Sequence, residues 1–271
     1  MSSTSLAYLS NNLIYSSLFV FTITFFMHAI ETAWSVRGDE SATRTNVFDR
    51  SKTEKVARIA TALMILGFLL LLAGVIVRGL SAHRVPWGNM YEFSITGALA
   101  FTGAYLAALK KFELRWLGLP ISIAVLLVLG TAITLLYRPS APLVPALKST
   151  WLVVHVSAAI ISGGVFLLAN TIAATYLILD RMESRGGRNV WAKRLPTLEA
   201  LDQLTYRLVA FVFPLWTFAV IAGAIWAESA WGRYWGWDPK ETWAFITWVA
   251  YAAYLHARVK AGWKGKKAAW L

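Results

Sequence analysis

Trp231-Gly-Arg-Tyr-Trp235-Gly-Trp237-Asp238-Pro-Lys-Glu241-Thr-Trp243 lies between two long apolar segments. Counted from Trp226 to Trp248, six of the chain's 14 tryptophans fall within 23 residues. Indole is large, flat and amphipathic, and it settles where one side is apolar and the other wet. One such residue is an ordinary membrane anchor. Six of them, with glycine spacers and one aspartate, describe a surface for something flat, aromatic and apolar. The two flanking segments make this a loop between membrane crossings, and that sets the fold class.

The composition agrees. The chain is 58% hydrophobic and 15% charged, with a mean hydropathy of +0.55. A soluble domain carries about 25% charged residues. There are no cysteines, which excludes thiol chemistry, disulfides and Cys-ligated metals within the chain. A metal here needs His, carboxylate or carbonyl donors. The first apolar run is too long for the core of a cleaved signal peptide and lacks a basic leader, so it reads as a retained span. The net charge of +12 reads as membrane topology rather than nucleic-acid binding.

Seven apolar stretches match single bilayer crossings: Leu13–Ala33, Ile59–Leu80, Phe93–Leu109, Leu117–Tyr137, Leu152–Leu179, Leu208–Ala227 and Pro239–Val259. The expected architecture is an all-α, polytopic integral membrane bundle of seven helices. It forms a single membrane domain over residues 1–271, with an external Trp-rich segment at 228–243. The connections after spans one, three, five and seven hold 20 of the 26 Lys and Arg. The positive-inside rule then puts these connections in the cytoplasm, and the N-terminus and the Trp-rich loop outside. Asp238 precedes Pro239, and Glu241 follows three residues after Asp238. This predicts a capping box with Pro at the first helical position. Asp238 is thus both a cap and a candidate binding residue.

Four histidines remain: His28, His83, His155 and His256. An ionisable group within a membrane is costly and usually functional, although a lone His also serves as an interhelical hydrogen-bonding residue. His155 and His83 fall on the side of the Trp-rich loop. His28 and His256 fall towards the other side, His256 roughly 27 Å along its helix from Asp238. Two imidazole levels with an aromatic platform at one of them fit a haem path. Haem iron takes axial imidazole, its ring stacks on aromatics, and its propionates favour nearby Arg or Lys.

The stretch from Trp231 to Trp248 closely resembles the tryptophan-rich "WWD" signature of haem-handling membrane proteins, and most of all the CcsA/ResC family (CcsB in some bacteria) of system II cytochrome c biogenesis. Four further segments carry the same resemblance: Pro86-Trp-Gly-Asn89-Met-Tyr91-Glu92, Leu143 to His155-Val, Leu201-Asp-Gln-Leu-Thr-Tyr-Arg207 and Tyr254-Leu-His256-Ala-Arg. The resemblance implies carriage of haem b to the outer face, with a ResB-type partner, for covalent attachment to apocytochrome c. A thioredoxin-like thiol reductant is a further implied partner. The membrane would be the plasma or inner membrane, or the thylakoid for a plastid protein.

In those terms His155 is an external axial ligand and His256 a transmembrane one. Trp231, Trp235, Trp237, Asp238 and Trp243 form the haem platform, and His83 and His28 are further ligand candidates. The family has one more span and a second external His after the signature, so the expectation is a C-terminally truncated form. Any synthase activity belongs to the complex, since no nucleophile–base pair is evident in this chain. Two other classes compete. A b-type cytochrome-like electron-transfer subunit needs His pairs at matching depths. A transporter or structural subunit scatters Trp over both interfaces.

Overall fold

The computed structural model describes residues 2–40, 46–112, 114–141, 148–186 and 195–271, with side chains described outside 35–51. Residues 143–147 of the segment leading to His155 lie outside the described residues. The elements among the described residues are helices: α1 (Ser3–Glu40), α2 (Asn46–Ala82), α3 (Met90–Leu109), α4 (Gly118–Thr134) after a 3-10 turn at Arg115–Leu117, α5 (Thr150–Glu183), α6 (Leu198–Trp231), α7 (Pro239–Val259) and a short α8 (Lys266–Ala269). No strand occurs among the described residues. Lipid offers no partner for backbone N–H and C=O groups, so only helices or closed barrels span it.

Each of the seven expected spans lies on a helix, and six of these, α1 to α6 with the 3-10 turn leading into α4, are long and apolar enough to cross a membrane. The protein is a multi-pass membrane protein. The seventh helix, α7, has the length, at 21 residues. It falls short in apolarity because Lys240, Glu241, Thr242, Thr247, His256 and Arg258 interrupt it.

The described residues form two compact units, Met1–Ser140 with Arg181–Pro196, and Ala141–Asp180 with Thr197–Leu271. In the first, α1 packs along α2 through a seam. The buried positions on α1 are Ser10, Ile14, Ser17, Phe21, Thr24 and His28; on α2 they include Ala57, Ala60, Met64, Gly67, Leu71, Gly74 and Arg78. Both series step alternately by three and four, the spacing of a coiled-coil interface. Small residues bring the helices close. A Cβ on Gly67 would stand 2.8 Å from the Phe21 ring, and one on Gly74 would stand 2.8 Å from Ile14. The Ser10 hydroxyl donates to the Gly74 carbonyl at 2.7 Å. The pairs 10 with 74 and 21 with 67 make the two helices antiparallel.

At one end of this unit Asn89 caps α3, accepting the Glu92 N–H. Glu92 is fully buried and accepts from Arg78 Nε at 3.1 Å, Arg84 Nη1 at 2.6 Å and the Gly88 N–H at 2.8 Å. Arg78, also fully buried, donates to the Arg138 carbonyl and lies 5.3 Å from the centre of the Tyr91 ring. The Pro86–Glu92 loop is therefore folded around one carboxylate.

In the second unit Phe166 and Ala169 of α5, Val209 and Val212 of α6, Tyr254 of α7 and Ala268 of α8 share a core. Arg258 of α7 donates to both oxygens of Asp202 on α6, each at 2.7 Å. The Gly265 N–H joins the same carboxylate at 3.0 Å and turns the chain back into α8. Phe166 stacks on Tyr251, ring centres 3.7 Å apart, and the Tyr251 hydroxyl donates to Asn170.

Replacing Glu92 by Ala leaves the buried Arg78 guanidinium without its counter-charge. The expected cost is about 3–5 kcal/mol. It is read as a lowered thermal midpoint of the detergent-purified protein. An unchanged midpoint would mean that the cluster is not an ion pair in the folded state.

Candidate functional site

His155 stands near the start of α5 and faces α6. Its Nδ1 is 2.7 Å from the carbonyl oxygen of Ala219. A carbonyl can only accept, so Nδ1 carries the proton, and in the neutral imidazole Nε2 keeps its lone pair. Gly223 lies under the ring: a Cβ there would be 2.7 Å from the imidazole carbon and from Nδ1. The Trp226 indole lies parallel to the imidazole, 6° between planes and 6.2 Å between centres. Positions 219, 223 and 226 recur at helical spacing, so one face of α6 holds the imidazole by an acceptor, a gap and a stacked ring.

After Trp231 the helix stops at Gly232, in the left-handed conformation at φ 68°, with its N–H on the Glu228 carbonyl at 2.8 Å. Glycine takes that conformation without the Cβ penalty. Glu241 organises the loop that follows. Its Oε1 accepts from Arg233 Nη1 at 2.9 Å, and its Oε2 accepts from the N–H groups of Gly236 at 2.6 Å and Asp238 at 3.3 Å. Asp238 accepts at Oδ1 from the N–H groups of Lys240 and Glu241. Both halves of the expected capping box are present, with Pro239 at the helix start. Trp237, just before the cap, sits at φ 56°. That region is unfavourable for a bulky side chain. The Thr242 hydroxyl donates to its carbonyl at 3.2 Å, and its ring meets Trp235 and Phe245 edge-on.

These pieces enclose an open cavity of about 380 Å³, within the usual range for small-molecule sites. Its walls are aromatic and apolar, from His155, Trp226, Trp231, Tyr234 and Trp235. Asp238, Lys240 and Glu241 supply charge along one side. Among the described residues no three His, Asp or Glu side chains gather as for a bare metal ion. One imidazole with a free nitrogen, set in an aromatic slot, suits a flat apolar ligand that carries its own metal.

The structure brings four of the sequence candidates together here: His155, Trp231, Trp235 and Asp238. Trp237 touches Trp235 at the rim and is exposed, as is Trp243 one turn into α7. His256 is exposed near the far end of α7, where its carbonyl accepts the Lys260 N–H. The other two histidines belong to the first unit. His83, at φ 51°, is exposed, with its Nε2 3.2 Å from the Ser3 hydroxyl. His28 is buried, with Nδ1 2.9 Å from Glu31, and its ring occupies the place where a Gly118 Cβ would be. Its Nε2 is buried and has no hydrogen-bond partner among the described residues. Sequence reading missed Gly223, the Ala219 carbonyl, the stacking role of Trp226, and Lys240. The spacing of 219, 223 and 226 on one helix face was available as a signal. What it faces was not.

The family model described as "Cytochrome C assembly protein" matches residues 87–271. A protein named "Cytochrome c biogenesis protein CcsA" from Guillardia theta is 37% identical over 214 residues, covering 72% of this chain and 70% of its own. Those of the same name from Porphyra purpurea and a Synechocystis sp. are 32% and 33% identical over 257 and 246 residues. They cover 81% and 71% of this chain, and 80% and 74% of their own.

Gly223→Ala is expected to destabilise by about 1–3 kcal/mol, because it pushes the imidazole off the Ala219 carbonyl. Gly163→Ala, where an added Cβ meets no described atom within 4 Å, is expected to be neutral or slightly stabilising. Thermal unfolding of the two variants side by side checks this. Equal effects would show that Gly223 is not a contact for His155.

Proposed function

This chain belongs to the cytochrome c assembly protein family, and from that premise we propose that its Trp-lined pocket holds haem on the outer side of the membrane for attachment to apocytochrome c. The observation that carries this reading is His155. Its Nδ1 proton is committed to the Ala219 carbonyl and the ring opens on an aromatic cavity, so Nε2 is the atom that fits an iron. Haem is the cargo here. The chain contributes orientation: Trp226, Trp231 and Trp235 set the plane, and the capped loop keeps the slot open. No residue acts as nucleophile. The thiols that react belong to the apocytochrome, kept reduced by a thioredoxin-like partner, and a ResB-type subunit completes the membrane complex.

His256, at the opposite end of α7, is the proposed ligand of a second, inner level. The placement of the Lys and Arg residues supports an outward pocket, with the connection after α5 and the residues after α7 in the cytoplasm. An electron-transfer cytochrome is not favoured. It needs His pairs at matching depth, whereas His155 and His256 lie at opposite ends of the second unit.

Purification of the full chain with its partner, followed by an absorption spectrum, tests the reading. The wild type is expected to show a Soret band that His155→Ala loses. Trp235→Ala is expected to weaken haem binding about fivefold by removing one stacking wall, an effect of about 1 kcal/mol, while membrane insertion is unchanged. Unaltered occupancy in both variants would leave the tryptophans as interface anchors only. For topology, reporter fusions after Lys110 are expected to read as cytoplasmic and those at Arg138 as exterior. The reverse pattern would place the pocket on the wrong side for an apocytochrome.

A further inference from the structure

The second unit carries, at the end away from the pocket, a segment that the haem reading does not use: Lys260-Ala-Gly262-Trp263-Lys264-Gly265-Lys266-Lys267-Ala268-Ala-Trp270-Leu271. The 21 residues of α7 put it roughly 30 Å from Asp238. The segment is folded against its own unit. The Trp263 N–H closes α7 on the Ala257 carbonyl at 3.0 Å, across Gly262 at φ 64°. The Gly265 N–H meets Asp202 of α6 at 3.0 Å, and a Cβ on Gly265 would stand 2.8 Å from the Tyr176 hydroxyl of α5. Lys266 Nζ is 3.3 Å from Asp180 of α5, and Ala268 is buried. With Ala268 turned inward, Lys264, Lys266, Lys267, Trp270 and Leu271 are exposed, as are Lys260 and Trp263.

Charge at this end is unbalanced. Of the unit's carboxylates here, Asp202 takes Arg258, Asp180 takes Lys266, and Glu199 accepts from Gln203. Lys260, Lys264 and Lys267 have no ion-pair partner among the described residues. Three such cations within eight residues, interleaved with exposed indoles, match a membrane surface. Lysines just beyond a span attract anionic headgroups, and indole settles where headgroups meet acyl chains. An acidic protein segment would answer the lysines but would leave Trp263, Trp270 and Leu271 in water.

We propose that the segment from Lys260 to Leu271 is a binding surface for the anionic phospholipids of the membrane that the chain spans. Lys260, Lys264 and Lys267 take the headgroup charge, and Trp263 and Trp270 lie at the boundary with the acyl chains. The Asp202 and Asp180 contacts hold the surface rigidly on α5 and α6, so lipid bound there fixes the depth of this end of the unit. His256, one turn before Lys260, is fixed in depth with it. The inference is independent of what the pocket carries.

The chain has no cysteine, so Ala261→Cys, at an exposed position of the segment, carries a single dye on the full chain. The labelled protein is placed in phosphatidylcholine vesicles containing a small fraction of either phosphatidylglycerol or phosphatidylcholine spin-labelled near the headgroup, and quenching is read. With the lysines intact, phosphatidylglycerol is expected to quench to the same extent at a mole fraction about tenfold lower than phosphatidylcholine, less than the full weight of three cations because the site is exposed. Changing Lys260, Lys264 and Lys267 together to Gln is expected to make the two lipids equal, whereas changing them to Arg keeps the preference. Lys110→Gln with Lys111→Gln, a charge loss in the first unit, is expected to leave it unchanged. Trp270→Ala is expected to reduce quenching by both lipids alike. Equal quenching by the two lipids with the lysines intact, or an unchanged preference in the triple Gln variant, would overturn the proposal. A dye shielded by soluble poly-glutamate and quenched by neither lipid would also overturn it, and would make this face a dock for an acidic protein segment.

Discussion

Backbone polar groups in hydrocarbon have no water to turn to, and everything else in this protein is arranged around that constraint. It makes each crossing a helix and pushes irregular backbone to the helix ends. The chain's chemistry sits at those ends. The Pro86–Glu92 turn and the Trp231–Asp238 turn each leave several N–H groups without a helical partner. Each is closed by one glutamate, Glu92 in the first and Glu241 in the second, that gathers an arginine and backbone N–H donors. A carboxylate meeting both kinds of donor is among the stronger hydrogen-bonding centres available to a protein. Here it does what a ladder of backbone bonds does elsewhere.

The pocket follows from the second of these turns. With Glu241 and Asp238 holding the loop, Trp231 and Trp235 are brought to the wall that contains His155. The loop is short, and its one left-handed bulky residue, Trp237, is carried by contacts on both sides. The imidazole is set from α6, through the Ala219 carbonyl, Gly223 and Trp226. An imidazole fixed by one helix and an aromatic wall fixed by a separate turn can be tuned separately.

The first unit is built on a different economy. Between lipid-facing helices apolar burial gives little preference for one face over another, so association relies on close approach and on satisfied polar groups. Ser10, Ser17, Thr24 and His28 lie along the α1 seam for that reason. Ser10 bonds across to the Gly74 carbonyl, Ser17 and Thr24 bond carbonyls of their own helix, His28 Nδ1 meets Glu31, and Gly67, Gly74 and Gly118 let the partner helices come near. The His28 ring fills the space above Gly118.

Much of this was legible in the chain itself. Long apolar runs and few charges dictated a helical membrane protein. Asp238, Pro239 and Glu241 dictated where α7 begins, since capping is a local matter of side chain and adjacent backbone. The cluster of tryptophans marked the candidate site, and its pattern carried the family resemblance. Other features were decided only by tertiary structure. The sequence could not show that the Ala219 carbonyl, on a different helix, fixes the tautomer of His155 above Gly223, nor that Trp237 and Trp243 are exposed while Trp226 stacks on the imidazole. It could not separate Arg233, which meets Asp238 and Glu241, from Lys240, which has no ion-pair partner among the described residues. It overlooked the three-and-four spacing of small and polar residues on α1, because in an apolar segment hydrophobic periodicity has no contrast to reveal a face. Local rules place ends and caps, whereas the pairing of donors with acceptors across helices depends on which faces meet, and that is settled only when the helices pack.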